Sequence, residues 1–234
     1  MLKNNKVINK KFLCIIPARG GSKGIPNKNI IDLNGFPLIS YSIRSAKKSN
    51  IFDRIIVSTD SKEIALVAKQ YGAEVPFLRP KEISGDKSLV EDAIFYTLER
   101  IEKYDYVCLL QPTSPLLTEE DLKNSLNMLF DKKADMVISV SKPLCNIDLI
   151  GKLGKDGSMK DFHRNNVYGT LRQDFEDKYV LNGAIYFGKW DVFYKKEDYY
   201  SQNAYGYIIP QEKSVDIDSY LDLKFTEFLL KNKE

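Results

Sequence analysis

FLCIIPARGGSKGIPNKN, residues 12–29, joins an uninterrupted apolar run to a loop dense in glycine and basic side chains, and that junction decides the fold. Residues 12–16 read as a strand covered on both faces. The loop behind it fits neither familiar phosphate signature. A Walker A loop requires a Gly-Lys-Ser/Thr triplet, and the chain contains no GKS or GKT. A dinucleotide fingerprint requires GxGxxG, where this stretch reads GGSKG. The chemistry nevertheless suits an anion. Gly20, Gly21 and Gly24 permit tight curvature and close backbone approach. Arg19 offers directed, bidentate contacts to phosphoryl oxygens, Lys23 and Lys28 add positive charge, and Ser22 supplies a hydroxyl. A solvated strand-end loop with ordinary surface lysines is the plain alternative. The concentration of these residues directly behind the first strand favours the anion site.

Working outward, similar apolar runs recur at RIIVST (54–59), AEVPFL (73–78), YVCLL (106–110) and DMVISV (135–140). Helical patterns lie between them. Asp60 with Glu63, Ser88 with Glu91 and Thr118 with Asp121 each resemble a capping box, and Gly72 stops the 61–71 helix. Strand–helix alternation of this kind predicts a mostly parallel α/β sheet, with ligand loops beyond the carboxyl ends of its strands. The rhythm fails at 141–181, which is rich in Gly, Asn and Asp. There LIGKLGKDGSMK resembles a hairpin, and the stretch reads as an insertion. Core-like sequence resumes at GAIYFGKWDVF. A last helix spans about 219–231, with Leu221, Phe225, Phe228 and Leu229 as its apolar face.

Bulk properties narrow the partners. The 234 residues suit one domain, with 43% hydrophobic and 29% charged residues. Net charge is +3, with no dense basic stripe, which argues against a nucleic-acid partner. No run approaches 18 apolar residues, and residues 1–11, with four lysines, read as a solvated flexible leader and not a signal peptide. Cys14, Cys108 and Cys145 lack metal spacing; the first two lie in predicted core strands and read as buried thiols, and a reducing cytoplasm fits.

Further candidate chemistry lies at other strand ends. In QPTSPL (111–116), Gln111 can read a base or ribose through its amide, and Thr113 or Ser114 can bond a ligand; a rigid turn before the next helix is the alternative. Arg79, Asp86, Lys87 and Ser88 follow another apolar run. Asp216 and Asp218, at i and i+2 in SVDID, share a face if extended and can reach one Mg²⁺, or else Asp218 simply starts a helix. Arg172 and Gln173 sit in the insertion, where a carboxylate site and a surface pair are both open readings. His163 has no cysteine or histidine partner and no base–nucleophile spacing.

Taken in order, IIPARGGSKGIPNKN, DRIIVSTD, LRP, QPTSPL, RQ, NGAIY and SVDID resemble the cytidylyltransferases that activate nonulosonic acids, especially CMP-N-acetylneuraminate synthetases. The resemblance spans approximately 13–230. It implies a Rossmann-like nucleotide-binding core over 12–234, with 141–181 as an inserted dimerisation element serving the neighbouring subunit's site, hence a homodimer. It implies a CTP site containing Arg19, Gly20, Gly21, Ser22, Lys23 and Lys28, with Arg79, Ser88 and Gln111 contributing to nucleotide recognition. Asp216 and Asp218 match the acidic pair near Mg²⁺. Gln111, Arg172, Gln173 and Asn182 fall on the sugar side. Arg19, Lys28, Asp216 and Asp218 are thereby the expected catalytic set. The expected reaction is CMP transfer from CTP to N-acetylneuraminate. One departure is visible: SVSKPLCNIDLIGKL lacks the His-Pro stretch common in sialate enzymes, which brings forward legionaminate or another acidic sugar, including a 3-deoxy-octulosonate. A nucleotide-binding regulatory protein without catalysis is the alternative of a different class.

Overall fold

Side-chain alternation along the first apolar run builds a three-layer molecule. The computed structural model describes residues 9–145, 147–160, 162, 177–195 and 198–232. In β1 (Phe12–Pro17), Phe12, Cys14 and Ile16 enter one core with α1 (Leu38–Ser49), α2 (Lys62–Gln70) and α4 (Glu119–Asp131). Leu13 and Ile15 enter the opposite core with α3 (Val90–Leu98) and α5 (Trp190–Tyr194). Both faces of the strand are dry, so an unbroken apolar run is what the sheet requires.

The remaining strands are β4 (Arg54–Ser58), β5 (Tyr106–Leu110), β6 (Met136–Ser141), β7 (Val180–Lys189) and β8 (Ala204–Ile208), with a separate ribbon of β2 (Asp32–Leu33) and β3 (Phe36–Pro37). The main sheet runs β4-β1-β5-β7-β6-β8. Within this sheet every strand pair is parallel except those made by β7, which runs antiparallel to β5 and β6. The carboxyl ends of β1, β4, β5, β6 and β8 therefore share one edge with the start of β7. At that edge the β6–β7 register shifts between Ile138 and Val140, and Gly183 adopts φ +73° beside it. A bulge there is a bend only glycine makes without strain.

Several local expectations change. AEVPFL is not a strand but two isolated parallel bridges, Ile56 with Glu74 and Thr59 with Leu78, because Pro76 between them has no N–H to donate. Ser61, not Asp60, caps α2, its Oγ accepting from the Ile64 N–H at 3.3 Å. Ser88 and Glu91 give way to Leu89 and Asp92, whose carboxylate accepts the Leu89 N–H at 3.3 Å. Thr118 and Asp121 do form a reciprocal box, and Gly72 at φ +90° ends α2. Of the hairpin at 149–160 only the turn bonds are present, Gly154 N–H to Ser158 O and Gly157 N–H to Gly154 O. Lys10 and Lys11, placed in the leader by the sequence, are tied to Asp105 through the Lys10 ammonium and the Lys11 N–H, both at 2.8 Å.

The final helix, α6 (Tyr220–Lys231), starts at the Ser219–Asp222 capping box. Its expected apolar face is turned the other way. Leu223 and Thr226 are buried, whereas Leu221, Phe225 and Phe228 are exposed. Among the described residues, no helix is long and apolar enough to cross a membrane.

Candidate active site

The strand order brings three loops from distant parts of the chain to one edge of the sheet. They enclose a cleft of about 320 Å³ walled by Arg19 and Lys28 from the loop after β1, Arg79 and Ser88 from the segment before α3, and Gln111 and Thr113 from the turn after β5. Gly20, Gly21, Ser22 and Lys23 form the intervening loop, outside that wall.

Each basic residue is held by specific partners. Arg79 is buried, and its Nε donates to Ser84 Oγ at 3.1 Å. Burial and, to a lesser degree, the neighbouring Arg19 charge lower the guanidinium's pKa, while Asp60 opposes the shift. Two cations thus converge on a partly dry cleft, an arrangement that favours an anion between them. Arg19 donates to the Gly85 carbonyl at 2.9 Å and lies 3.4 Å from Asp86. Buried Asn29 steadies that corner, its Nδ2 bonding the Arg19 carbonyl at 2.9 Å.

Asp60, released from the capping role, accepts the Gly20 N–H at 2.9 Å and so pins the loop to the end of β4. Gly20 also packs closely on the start of α2, where an added Cβ would lie 3.1 Å from Ser61 Cβ.

The acidic edge is attached to the same loop. Lys28 Nζ donates to Ile217 O at 2.8 Å and pairs with Asp218 Oδ1 at 2.7 Å. Ile25 and Ile217 are both fully buried in a cluster with Leu33, Leu38 and Leu223, which locks the two segments together. The Ile217 N–H bonds Thr113 O at 2.9 Å, tying QPTSPL to SVDID. Although solvent reaches Asp216, desolvation of its carboxylate raises its pKa; a Thr113 hydrogen bond opposes this and the Asp218 charge adds to it.

Asp216 and Asp218, beside a cleft lined by cations, fit a Mg²⁺ held by one or two carboxylates together with waters and phosphate oxygens. Among the described residues there is no group of three or more His, Cys, Asp or Glu side chains arranged for a metal, so a closed all-protein cage is not available.

A second cavity of about 310 Å³ shares Val90 and Gln111 with the first and is lined by Leu109, Tyr186, Tyr199, Tyr200, Glu91 and Asp198. Burial pushes the Tyr186 phenol up to about 12 and raises Tyr199 as well. Tyr186 closes the NGAIY motif, whereas Tyr199 and Tyr200 carry no short motif and only the fold brings them to it. Asn182 lies at the β7 bulge, but its amide is engaged: Oδ1 accepts from Ser139 Oγ at 2.5 Å, and Nδ2 donates to Ser214 Oγ at 3.1 Å. Arg172, Gln173 and His163 lie outside the described residues. Cys14 and Cys108 are buried and Cys145 is exposed.

Comparison with known proteins gives a concordant result. A family profile described as cytidylyltransferase matches residues 13–234. The chain is 36% identical to the pseudaminic acid cytidylyltransferase of Campylobacter jejuni over 94% of this chain and 97% of that protein. It is 35% identical to the CMP-N,N'-diacetyllegionaminic acid synthase of Legionella pneumophila over 94% of this chain and 96% of that one. Among solved structures, a CMP:2-keto-3-deoxy-manno-octonic acid synthetase complexed with CTP superposes with a TM-score of 0.72 at 16% identity, covering 95% of this chain and 99% of that chain. At that identity the superposition speaks for the fold.

Proposed function

Because the chain belongs to the cytidylyltransferase family, we propose that it transfers CMP from CTP to the anomeric hydroxyl of a nonulosonic acid. The sugar oxygen attacks the α-phosphorus, a new P–O bond forms, and the bond to the β-phosphate bridge breaks to release pyrophosphate. The single observation that carries this reading is the meeting of a cationic cleft and an aromatic cavity at Gln111. One volume suits a triphosphate nucleotide, the other the body of a sugar, and their junction is where the reacting atoms must meet.

In this reading Arg19, Lys28 and Arg79 bind and orient the triphosphate, with Ser88 and Gln111 beside the nucleoside. The bond from the Ile217 N–H to the Thr113 carbonyl fixes the segment that carries Asp216, and Lys28 holds Asp218, so the acidic edge is positioned before substrate arrives. Asp216 and Asp218 would hold Mg²⁺, which when bound supplies Lewis-acid stabilisation of phosphoryl charge. Tyr186, Tyr199 and Tyr200 offer flat apolar faces and hydroxyls to the sugar. Given its bonds to Ser139 and Ser214, Asn182 acts on the sugar side by fixing the β7 bulge.

Which nonulosonic acid is used is a finer matter. N-acetylneuraminate led the sequence reading, but the missing His-Pro stretch and the two relatives named above support a pseudaminic or legionaminic type of sugar. Arg172 and Gln173 are proposed on the substrate side. We also propose a homodimer, supported by exposed apolar side chains along the insertion, with Leu144 89% and Ile150 61% exposed. Buried Cys14 and Cys108 support a cytoplasmic setting.

Asp216→Asn and Asp218→Asn test the acidic edge. Each is expected to reduce Mg²⁺-dependent pyrophosphate release by on the order of a hundredfold while leaving the circular-dichroism spectrum intact. Undiminished turnover at saturating substrates would contradict the assigned role. Arg172→Ala should impair use of the acidic sugar more than CTP binding; equal losses would argue against that division.

A further inference from the structure

Arg19 and Lys23 already share an anion, and it belongs to the chain itself. Asp86 Oδ1 lies 3.4 Å from an Arg19 guanidinium nitrogen, and Oδ2 lies 3.0 Å from Lys23 Nζ. One carboxylate oxygen faces each cation, as two oxygens of a phosphoryl group would. Arg19 is steered to this point by its other bond, to the carbonyl of adjacent Gly85. Asp86 also lines the cationic cleft.

Two features make the contact displaceable. The side chains of Arg19, Lys23 and Asp86 are 34%, 76% and 45% exposed, so water screens both pairs. Asp86 is carried on an exposed stretch, 85–87, where Gly85 has no atom closer than 3.9 Å to an added Cβ, so the chain has room to shift.

We propose that Asp86 is an affinity-setting positioning residue: an internal substitute for phosphate that orders Arg19 and Lys23 and competes with polyphosphate for them. The inference rests on the reading of the β1 loop as a triphosphate cradle. Its consequence is quantitative. Polyphosphate binds only the fraction of molecules in which Asp86 has withdrawn, and the apparent affinity is reduced by that fraction. Return of Asp86 to the same cations assists departure of pyrophosphate.

The test is calorimetric titration of inorganic tripolyphosphate into the wild-type chain and into Asp86→Asn, Asp86→Ala and Asp86→Glu, each checked for folding by thermal melting. Asn and Ala are expected to tighten binding about three- to tenfold, with Glu close to wild type. The inhibition constant for pyrophosphate should fall in parallel. A merely structural aspartate predicts the opposite, looser binding on substitution. Unchanged or weaker binding by both Asn and Ala, with wild type binding normally, would overturn the proposal. Arg19→Gln separates the underlying reading: it should bind tripolyphosphate at least tenfold more weakly. Wild-type affinity in Arg19→Gln, or no binding by any chain, would overturn the cradle and the proposal together.

Discussion

Gly24 shows how closely the candidate site is assembled. A Cβ built there would lie 2.3 Å from the carbonyl oxygen of Asp218, which is backbone and has no rotamer to swing away. Gly24→Ala is therefore expected to separate the β1 loop from the acidic edge. It should cost about 1–3 kcal/mol of stability, measured by urea unfolding, and about tenfold in kcat/KM. Gly21 has no atom within 4 Å of an added Cβ, so Gly21→Ala should stay within about 0.5 kcal/mol of wild type. The need for glycine was legible in GGSKG. Its cause at Gly24 was not, because the group it admits is a carbonyl from the far end of the chain and not only a ligand. The same limit explains Asp60, whose local pattern suits a helix cap but whose carboxylate is drawn to Gly20 across the sheet. Gln111 could be placed near a ligand because it follows the β5 run and strand ends converge in a parallel sheet, whereas Arg79 and Ser88 were assigned by the resemblance and follow a segment that is not a strand. Tyr186 was marked by NGAIY, whereas Tyr199 and Tyr200 have no such marker.

At the scale of elements, α6 separates pattern from packing. Spacing alone put Leu221, Phe225 and Phe228 inward, yet the helix docks through Leu223 into the cluster that contains Ile25 and Ile217. Leu223→Ala should cost about 2–5 kcal/mol, whereas Phe225→Ser should change monomer stability by no more than about 0.5 kcal/mol. Chemical denaturation of both variants distinguishes the two faces. The 73–78 segment poses a related problem: its composition is strand-like, but Pro76 restricts it to single bridges, and Arg54 with Glu74 clamps it to β4. The Arg54 hydrogen bonds hold the Glu74 carboxylate below its ordinary range. A depressed carboxylate stabilises the fold above its unfolded pKa, and that contribution fades as pH falls through the folded value. Glu74→Gln should therefore cost about 0.2–1 kcal/mol at neutral pH, with the gap to wild type closing in acid. A gap that persists below the depressed pKa would contradict the ion-pair origin.

At the scale of the whole molecule, the alternation of apolar runs and helices was sufficient to foresee the mostly parallel core. The insertion of antiparallel β7 between β5 and β6 was hidden, since residue pattern does not record the direction in which a strand enters the sheet. That strand brings Asn182 and Tyr186 to the sheet beside the end of β5, and so gives the cationic cleft its aromatic neighbour. If the apolar side chains of the insertion meet a second copy, Leu144→Asp with Ile150→Asp should convert a dimer to a monomer in sedimentation velocity. The most direct measurement is product identification by mass spectrometry after incubating the chain with CTP, Mg²⁺ and a panel of nonulosonic acids that includes pseudaminic, legionaminic and N-acetylneuraminic acids, with a 3-deoxy-octulosonate as comparison. The expected result is a CMP-sugar from at least one nonulosonic acid, formed in step with pyrophosphate. Absence of CMP transfer to every nonulosonic acid, by a folded chain that binds CTP, would contradict the proposed function.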